Sequence, residues 1–265
     1  MSWLNRIQRW RKQNLLRHSR IPLGIWEQVV ANALAHYHLT PHELQSLREL
    51  SSLFLHYKTI SSAGGLEIDA YMRAVIAAEA CLLILYLDLD YYDGWIEIIV
   101  YPDSFVVTRE GQDDIGVVQE QRSVLGGESW SRGPVILAWE DARPGARPHG
   151  SCSNVILHEF AHKLDMLDGA ANGIPPLHAN MDRSGWTTIF THAYSDLQQQ
   201  VIRHHRTRID PYGAENPAEF FAVVTEEFFE CPLRLHDWHP DVYRQLSLFY
   251  RQDPLHRLPE NVSNK

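Results

Sequence analysis

In the segment Val155-Ile156-Leu157-His158-Glu159-Phe160-Ala161-His162, two histidines and a glutamate interrupt an apolar run. An α-helix turns once in about 3.6 residues, so residues i and i+4 share a face. His158 and His162 are thereby set to direct two imidazoles at one point. Val155, Ile156, Leu157, Phe160, Ala161 and Leu164 predict that this helix is buried. Imidazoles and a carboxylate are costly to bury without partners, and a metal ion at the helix face satisfies both rings at once. Glu159, one step around the helix, is placed to act as general base on a metal-activated water. A five-residue pattern is short, and the chain's 15 histidines raise the rate of chance matches. The apolar surroundings favour the metal reading, whose chemistry is hydrolysis of a peptide bond.

A catalytic zinc commonly takes three protein ligands and leaves one position open. Two candidates for the third ligand follow. In the longer His-Glu-x-x-His-x-x-Gly-x-x-His pattern, Asp165 falls on the glycine position and Asp168 on the last histidine. Asp168 is chemically able to bind zinc, but Asp165 suits the sharp turn beneath the metal less well than glycine. The better candidate is Glu219, in Asn216-Pro217-Ala218-Glu219-Phe220-Phe221-Ala222. Asn216 is a good N-cap and Pro217 fits the first helical position. Glu219 could instead close a capping box onto Asn216. The helix is otherwise so apolar that a carboxylate there is more economically explained as a ligand, giving the set His158, His162 and Glu219. Asp165, Asp168 and Glu226 are placed to support the ligating histidines from behind.

These segments, from Asn154 to Asp165 and from Asp210-Pro-Tyr212 to Ala222, resemble the Mlc titration factor A family of bacterial zinc peptidases. The stretch from Trp130 to Trp139 and Phe249-Tyr-Arg-Gln-Asp-Pro254 are similar too. The likeness runs from about residue 60 to 255. It implies a cytoplasmic aminopeptidase of the gluzincin type, with an active site related to that of anthrax lethal factor and one Zn2+ per chain. It also implies that the protein binds and sequesters a transcriptional repressor, Mlc, that governs sugar uptake. By position, His158, His162 and Glu219 are implied as zinc ligands, Glu159 as catalytic base, and Tyr212 as a phenol near the metal able to steady an oxyanion. An aminopeptidase further needs a carboxylate for the substrate's free amine, and Glu128, Glu140 and Asp141 are candidates. The alternative is a regulatory binding protein whose metal site is structural, in which an intact Glu159 would have no use.

The formal charge of −9, with no long basic stripe beyond residue 20, argues against sequence-independent nucleic-acid binding. Residues 1–20 differ from the rest. Six basic residues and no acid accompany Trp3, Leu4, Ile7 and Trp10 at helical spacing, which suits a loosely docked helix or a surface contact. No secretory leader is expected there. The apolar run from Ala80 to Leu87 is too short to span a bilayer, so no stable membrane insertion is expected. Three widely spaced cysteines, Cys81, Cys152 and Cys231, predict reduced, buried thiols.

Helical patterns are predicted near 24–38, 41–57 with Thr40 as N-cap, 67–88, 153–167, 184–206, 217–230 and 240–251. Strands are predicted at 95–101, 105–108, 116–118 and 134–139, with an exposed loop over 143–150. Strands bunched between helical blocks predict a mainly helical α+β fold, zincin-like, over 21–265, with a small mixed sheet preceding the zinc-binding helix. The order suggests that the strand from Val135 to Trp139 offers its edge to an extended peptide.

Overall fold

The computed structural model describes residues 16, 19–103, 105–112, 118–125, 127–129, 133–146 and 151–259, with backbone alone for those between 104 and 132. Nearly all of the basic segment 1–20, residues 116–117, the second half of the predicted loop 143–150 and the side chain of Glu128 lie outside the described residues.

Helix α1, Leu23–Val29, continues through a π turn, Val30–Leu34, and a 3-10 turn, Ala35–Tyr37. Helix α2, Pro41–Tyr57, begins as its sequence dictates. The Thr40 hydroxyl accepts from the Glu43 N–H (3.2 Å), and the Glu43 carboxylate accepts from the Thr40 N–H (2.8 Å). Strand β1, Thr59–Ser62, was not expected, because only Ile60 of its four residues is buried. Helix α3, Ala70–Leu83, is capped by Asp69. It stops short of the predicted Asp88, because Ile84 turns back onto Cys81 and Asp88 caps a separate 3-10 turn.

Strand β2 is Glu97–Tyr101, β3 Phe105–Gln112, β4 Val118–Leu125, β5 Gly127–Ser129 and β6 Val135–Ala138. The main sheet has the order β1-β2-β6-β5, with β1, β2 and β6 parallel and β5 antiparallel to β6, while β3 and β4 form a separate antiparallel ribbon. The fold is α+β, with the mixed sheet ahead of the histidine-bearing helix. One expectation is corrected here. β6 is hydrogen-bonded on both sides, so its edge is closed and the outer edge on that side belongs to β5. Trp139 starts a short helix, α4, Trp139–Ala142.

The remaining helices are α5, Val155–Asp165; α6, Arg183–Ile202; α7, Pro217–Glu230; α8, Pro232–Trp238; α9, Pro240–Tyr250; and α10, Pro254–Arg257. The core runs from Ile21 to Tyr250 and includes Ile98, Val100, Val135 and Leu137 of the sheet. Beneath α7, Trp186 stacks on Phe190 (4.1 Å), and Phe221 and Phe249 close around Trp186. The chain's last described turn is fastened to its first long helix: Arg257 donates twice to Glu43 Oε1 (2.7 and 3.1 Å), which also accepts from Tyr86 (3.0 Å). No helix among the described residues is long and apolar enough to cross a membrane.

The cysteine expectation is also corrected. Cys152 and Cys231 form a disulfide with Cα atoms 5.7 Å apart, and Cys81 is a buried free thiol. Their separation of 79 residues carries no pairing signal. The bond follows from α5 and α7 packing together, which brings the start of one helix to the end of the other.

Candidate metal centre

Helix α5 is positioned from its first residue. The Asn154 side chain accepts from the N–H groups of Ile156 (3.1 Å) and Leu157 (3.2 Å), satisfying donors that a helix start leaves unpaired. The Asn154 backbone N–H donates to Glu226, and its amide Nδ2 donates to Glu230 Oε1 (2.7 Å). Tyr37 donates to the same Glu230 oxygen (2.5 Å). Helix α7 begins in the same way: the Asn216 side chain accepts from Ala218 and Glu219, each at 3.0 Å. That frees the Glu219 carboxylate from the capping box and turns it to the histidines.

His158 Nε2 and His162 Nε2 lie 3.0 and 3.2 Å from Glu219 Oε2, and 3.2 Å from each other. With Nδ1 donating to Glu226 Oε1 at 2.7 Å, loss of the Nε2 proton from His158 turns a lone pair toward Glu219 and His162. When both Nε2 atoms have given up their protons, three acceptor atoms face one another and a cation between them satisfies all three. The spacing fits one: bonds of about 2.0–2.1 Å around a tetrahedral ion give edges of about 3.3–3.4 Å. Burial works against a charge on His158, but Glu226, Glu219 and Glu159 outweigh it and hold its pKa well above the ordinary value. Burial also pushes Glu219 up, yet hydrogen bonds from His158 and His162 prevail and hold it well below the carboxylate range. The pocket therefore favours positive charge at the point where the three side chains meet.

The surrounding groups divide clearly. Glu159 is buried, and its charge raises His158 and Lys163. Lys163 Nζ donates to the Gly133 carbonyl (2.8 Å) and lies 5.0 Å from the Trp95 ring centre. Burial lowers its pKa to about 8, against the pull of Glu159. Sequence reasoning passed over Lys163, although a lysine four residues after a glutamate is a recognisable helical pair. The Tyr212 ring centre lies 5.9 Å from that of His158, on a turn that Asp210 caps by accepting from the Tyr212 N–H (2.9 Å).

Asp165 is fully buried and accepts from the Gly173 N–H (2.8 Å). Burial pushes its pKa up to about 6, against the Gly173 bond and the charge of His162. His162 Nδ1 and Asp165 Oδ1, both buried, have no hydrogen-bond partner among the described residues. Asp168 is exposed at the end of a 3-10 turn and stands outside the cluster, so the alternative ligand is not brought to the site. Of the three candidate supporting acids, Glu226 and Asp165 are at the site and Asp168 is not. Among the candidate amine anchors, Glu140 is exposed and Asp141 half-buried on α4.

Gly173 holds the start of α7. Its φ is +78°, and a Cβ there would sit 2.5 Å from the Pro217 carbonyl oxygen. Gly173→Ala is expected to cost roughly 1–2 kcal/mol from backbone conformation alone. The clash displaces Pro217, two residues from Glu219, so metal affinity should fall as well. Thermal unfolding and chelator competition on the same sample check both effects.

Comparison with known proteins agrees with a metal-dependent hydrolytic centre. Residues 7–251 match the family described as glucose-regulated metallo-peptidase M90. An uncharacterized protein of Synechocystis sp. is 40% identical, with 96% of this chain and 90% of that protein aligned. The Mlc titration factor A proteins of Klebsiella pneumoniae and Salmonella arizonae are 36% and 38% identical, covering 95% and 94% of this chain and 94% and 98% of theirs. The chain belongs to the M90 family of metallopeptidases.

Proposed function

We propose that this protein is a zinc-dependent aminopeptidase of the cytoplasm, with residues 21–265 acting as one zincin-like unit behind the basic segment 1–20. The observation that carries the reading is the meeting of His158 Nε2, His162 Nε2 and Glu219 Oε2 within 3.2 Å of one another beside a buried Glu159. His158, His162 and Glu219 would hold the Zn2+, which when bound lowers the pKa of water and polarises the substrate carbonyl. Glu159 takes the proton of the attacking water and returns it to the leaving amine. Tyr212 donates a hydrogen bond to the developing oxyanion. Glu226 fixes the ring plane and tautomer of His158 through Nδ1. An extended peptide finds its backbone partners along the outer edge of β5.

Sequestration of a transcriptional repressor rests on the name of the Mlc titration factor A relatives. If the metal site served only as a structural support for that binding, Glu159 would have its charge interaction with Lys163 but no proton to take from water. Both activities can reside in one chain.

The test is elemental analysis of the purified protein, beside hydrolysis of a panel of amino-acid anilides and their N-acetylated counterparts. One zinc per chain is expected, with cleavage of free-amine substrates that phenanthroline stops and added zinc restores. A zinc-free protein that cleaves nothing would leave the binding role alone. Equal cleavage of acetylated substrates would refute the aminopeptidase assignment.

A further inference from the structure

The Cys152–Cys231 bond closes one end of the helix pair that builds the metal centre. Cys152 lies two residues before Asn154, the N-cap of α5, and Cys231 is the C-cap of α7. Helix α5 carries His158 and His162, and α7 carries Glu219 and Glu226. A short chain of contacts joins the bond to the site. The Asn154 N–H donates to Glu226, whose other oxygen accepts from His158 Nδ1 at 2.7 Å. Asn154 Nδ2 reaches Glu230, the residue before Cys231. The group that orients His158 is therefore held by the same junction that the disulfide closes.

The bond is also approachable. Cys231 is half-buried, and a cavity of about 260 Å³ is lined by Cys152, Glu226, Glu227, Arg234 and the turn leading to Pro211. Glu227 is paired with Arg234, and one of its oxygens lies within 4.8 Å of both sulfurs. In a reducing compartment, disulfides are rare and serve mainly catalytic or redox-sensing ends.

We propose that Cys152–Cys231 is a thiol–disulfide exchange site that sets how firmly the His158, His162 and Glu219 centre holds its metal, with a cellular dithiol as reductant. The proposal rests on the metal reading above. One thiolate of the dithiol attacks the sulfur of Cys231, the less buried of the two residues, and Cys152 leaves as a thiolate and takes up a proton. The second thiol of the reductant loses its proton, attacks the mixed disulfide and releases Cys231, which is protonated in turn. Two electrons pass to the chain, and the reductant leaves as a disulfide. The junction then rests on the packing of α5 against α7 and on the hydrogen bonds among Asn154, Glu226, Glu230 and Tyr37, and His158 is held less firmly.

The experiment compares wild-type protein exposed to air, the same protein reduced by a phosphine that is then removed, and Cys231→Ser. Thiols are counted after unfolding in an alkylating agent, and zinc affinity is read by chelator competition. With three cysteines in the chain, one thiol is expected before reduction and three after. Zinc binding should weaken about tenfold on reduction, the scale set by loss of an outer partner of a ligating histidine. Cys231→Ser should show the weaker value with or without phosphine. If that variant does not fold, the oxidised and reduced wild type still decide. Three thiols before reduction would overturn the proposal, as would equal zinc affinity in both states, which marks a mere staple. A second zinc gained on reduction and held by Cys152, Cys231 and Glu227 would also overturn it. Zinc bound in neither state would remove the metal reading and this proposal together.

Discussion

Glu159→Gln is expected to lower peptide hydrolysis by about 10²–10⁴-fold, the range of a lost general base, while the protein keeps its zinc and its melting temperature. The amide has the size of the carboxylate and fits the same buried space, but cannot take a proton from water. Loss of the charge has a second signature. Glu159 raises the pKa of Lys163, so in the variant that amine should titrate below its present value of about 8. Lysine-selective NMR of zinc-loaded protein would read the change. A variant that hydrolyses at the wild-type rate would remove Glu159 from the reaction. The same protein separates the two roles argued for the chain, since repressor binding should survive when hydrolysis does not.

Glu219→Ala is expected to weaken zinc binding by at least about 100-fold, the upper end of what losing even an outer partner costs. Hydrolysis should disappear with the metal. The fold should persist, because α7 is started by the Asn216 side chain and Pro217, not by Glu219. Apo protein should show a second effect. Glu219 is one of the groups holding His158 above its ordinary pKa, so that imidazole should titrate lower in the variant. Retention of zinc in Glu219→Ala would exclude it as the third ligand. Asp168 would not inherit the role without rearrangement, because it is exposed and apart from the histidines.

The parts of this molecule that the sequence disclosed are those governed by near neighbours. Thr40 and Glu43 announce α2, Asn216 and Pro217 announce α7, and the spacing of His158 and His162 announces their shared face. Glu219 was legible because a carboxylate in so apolar a helix needs a reason. What stayed hidden depends on contacts between distant segments. β1 is a strand because β2 offers it hydrogen bonds, not because Thr59-Ile-Ser-Ser has a strand pattern. The closed edges of β6 follow from β5 folding back beside it, which no alternation in the strand itself reveals. The same is true of the disulfide and of the Tyr37–Glu230–Asn154 link, which ties Tyr37 to residues more than a hundred positions away. Lys163 is readable as a helical partner of Glu159 from its spacing, but its burial against Gly133 and Trp95 is a tertiary contact that the spacing does not carry.

The fastening of Arg257 to Glu43 has a bearing on how the protein is made. Two hundred and fourteen residues separate the partners, and Gln252 likewise donates to the Leu82 carbonyl (2.8 Å) across 170. During synthesis the two histidines leave the ribosome well before Glu219, and the last fastenings of the helical layer come later still. Pairings so distant in sequence form slowly, because a long loop must close before they contribute. The meeting of His158, His162 and Glu219 thereby waits for α7, whose start follows the second histidine by more than fifty residues.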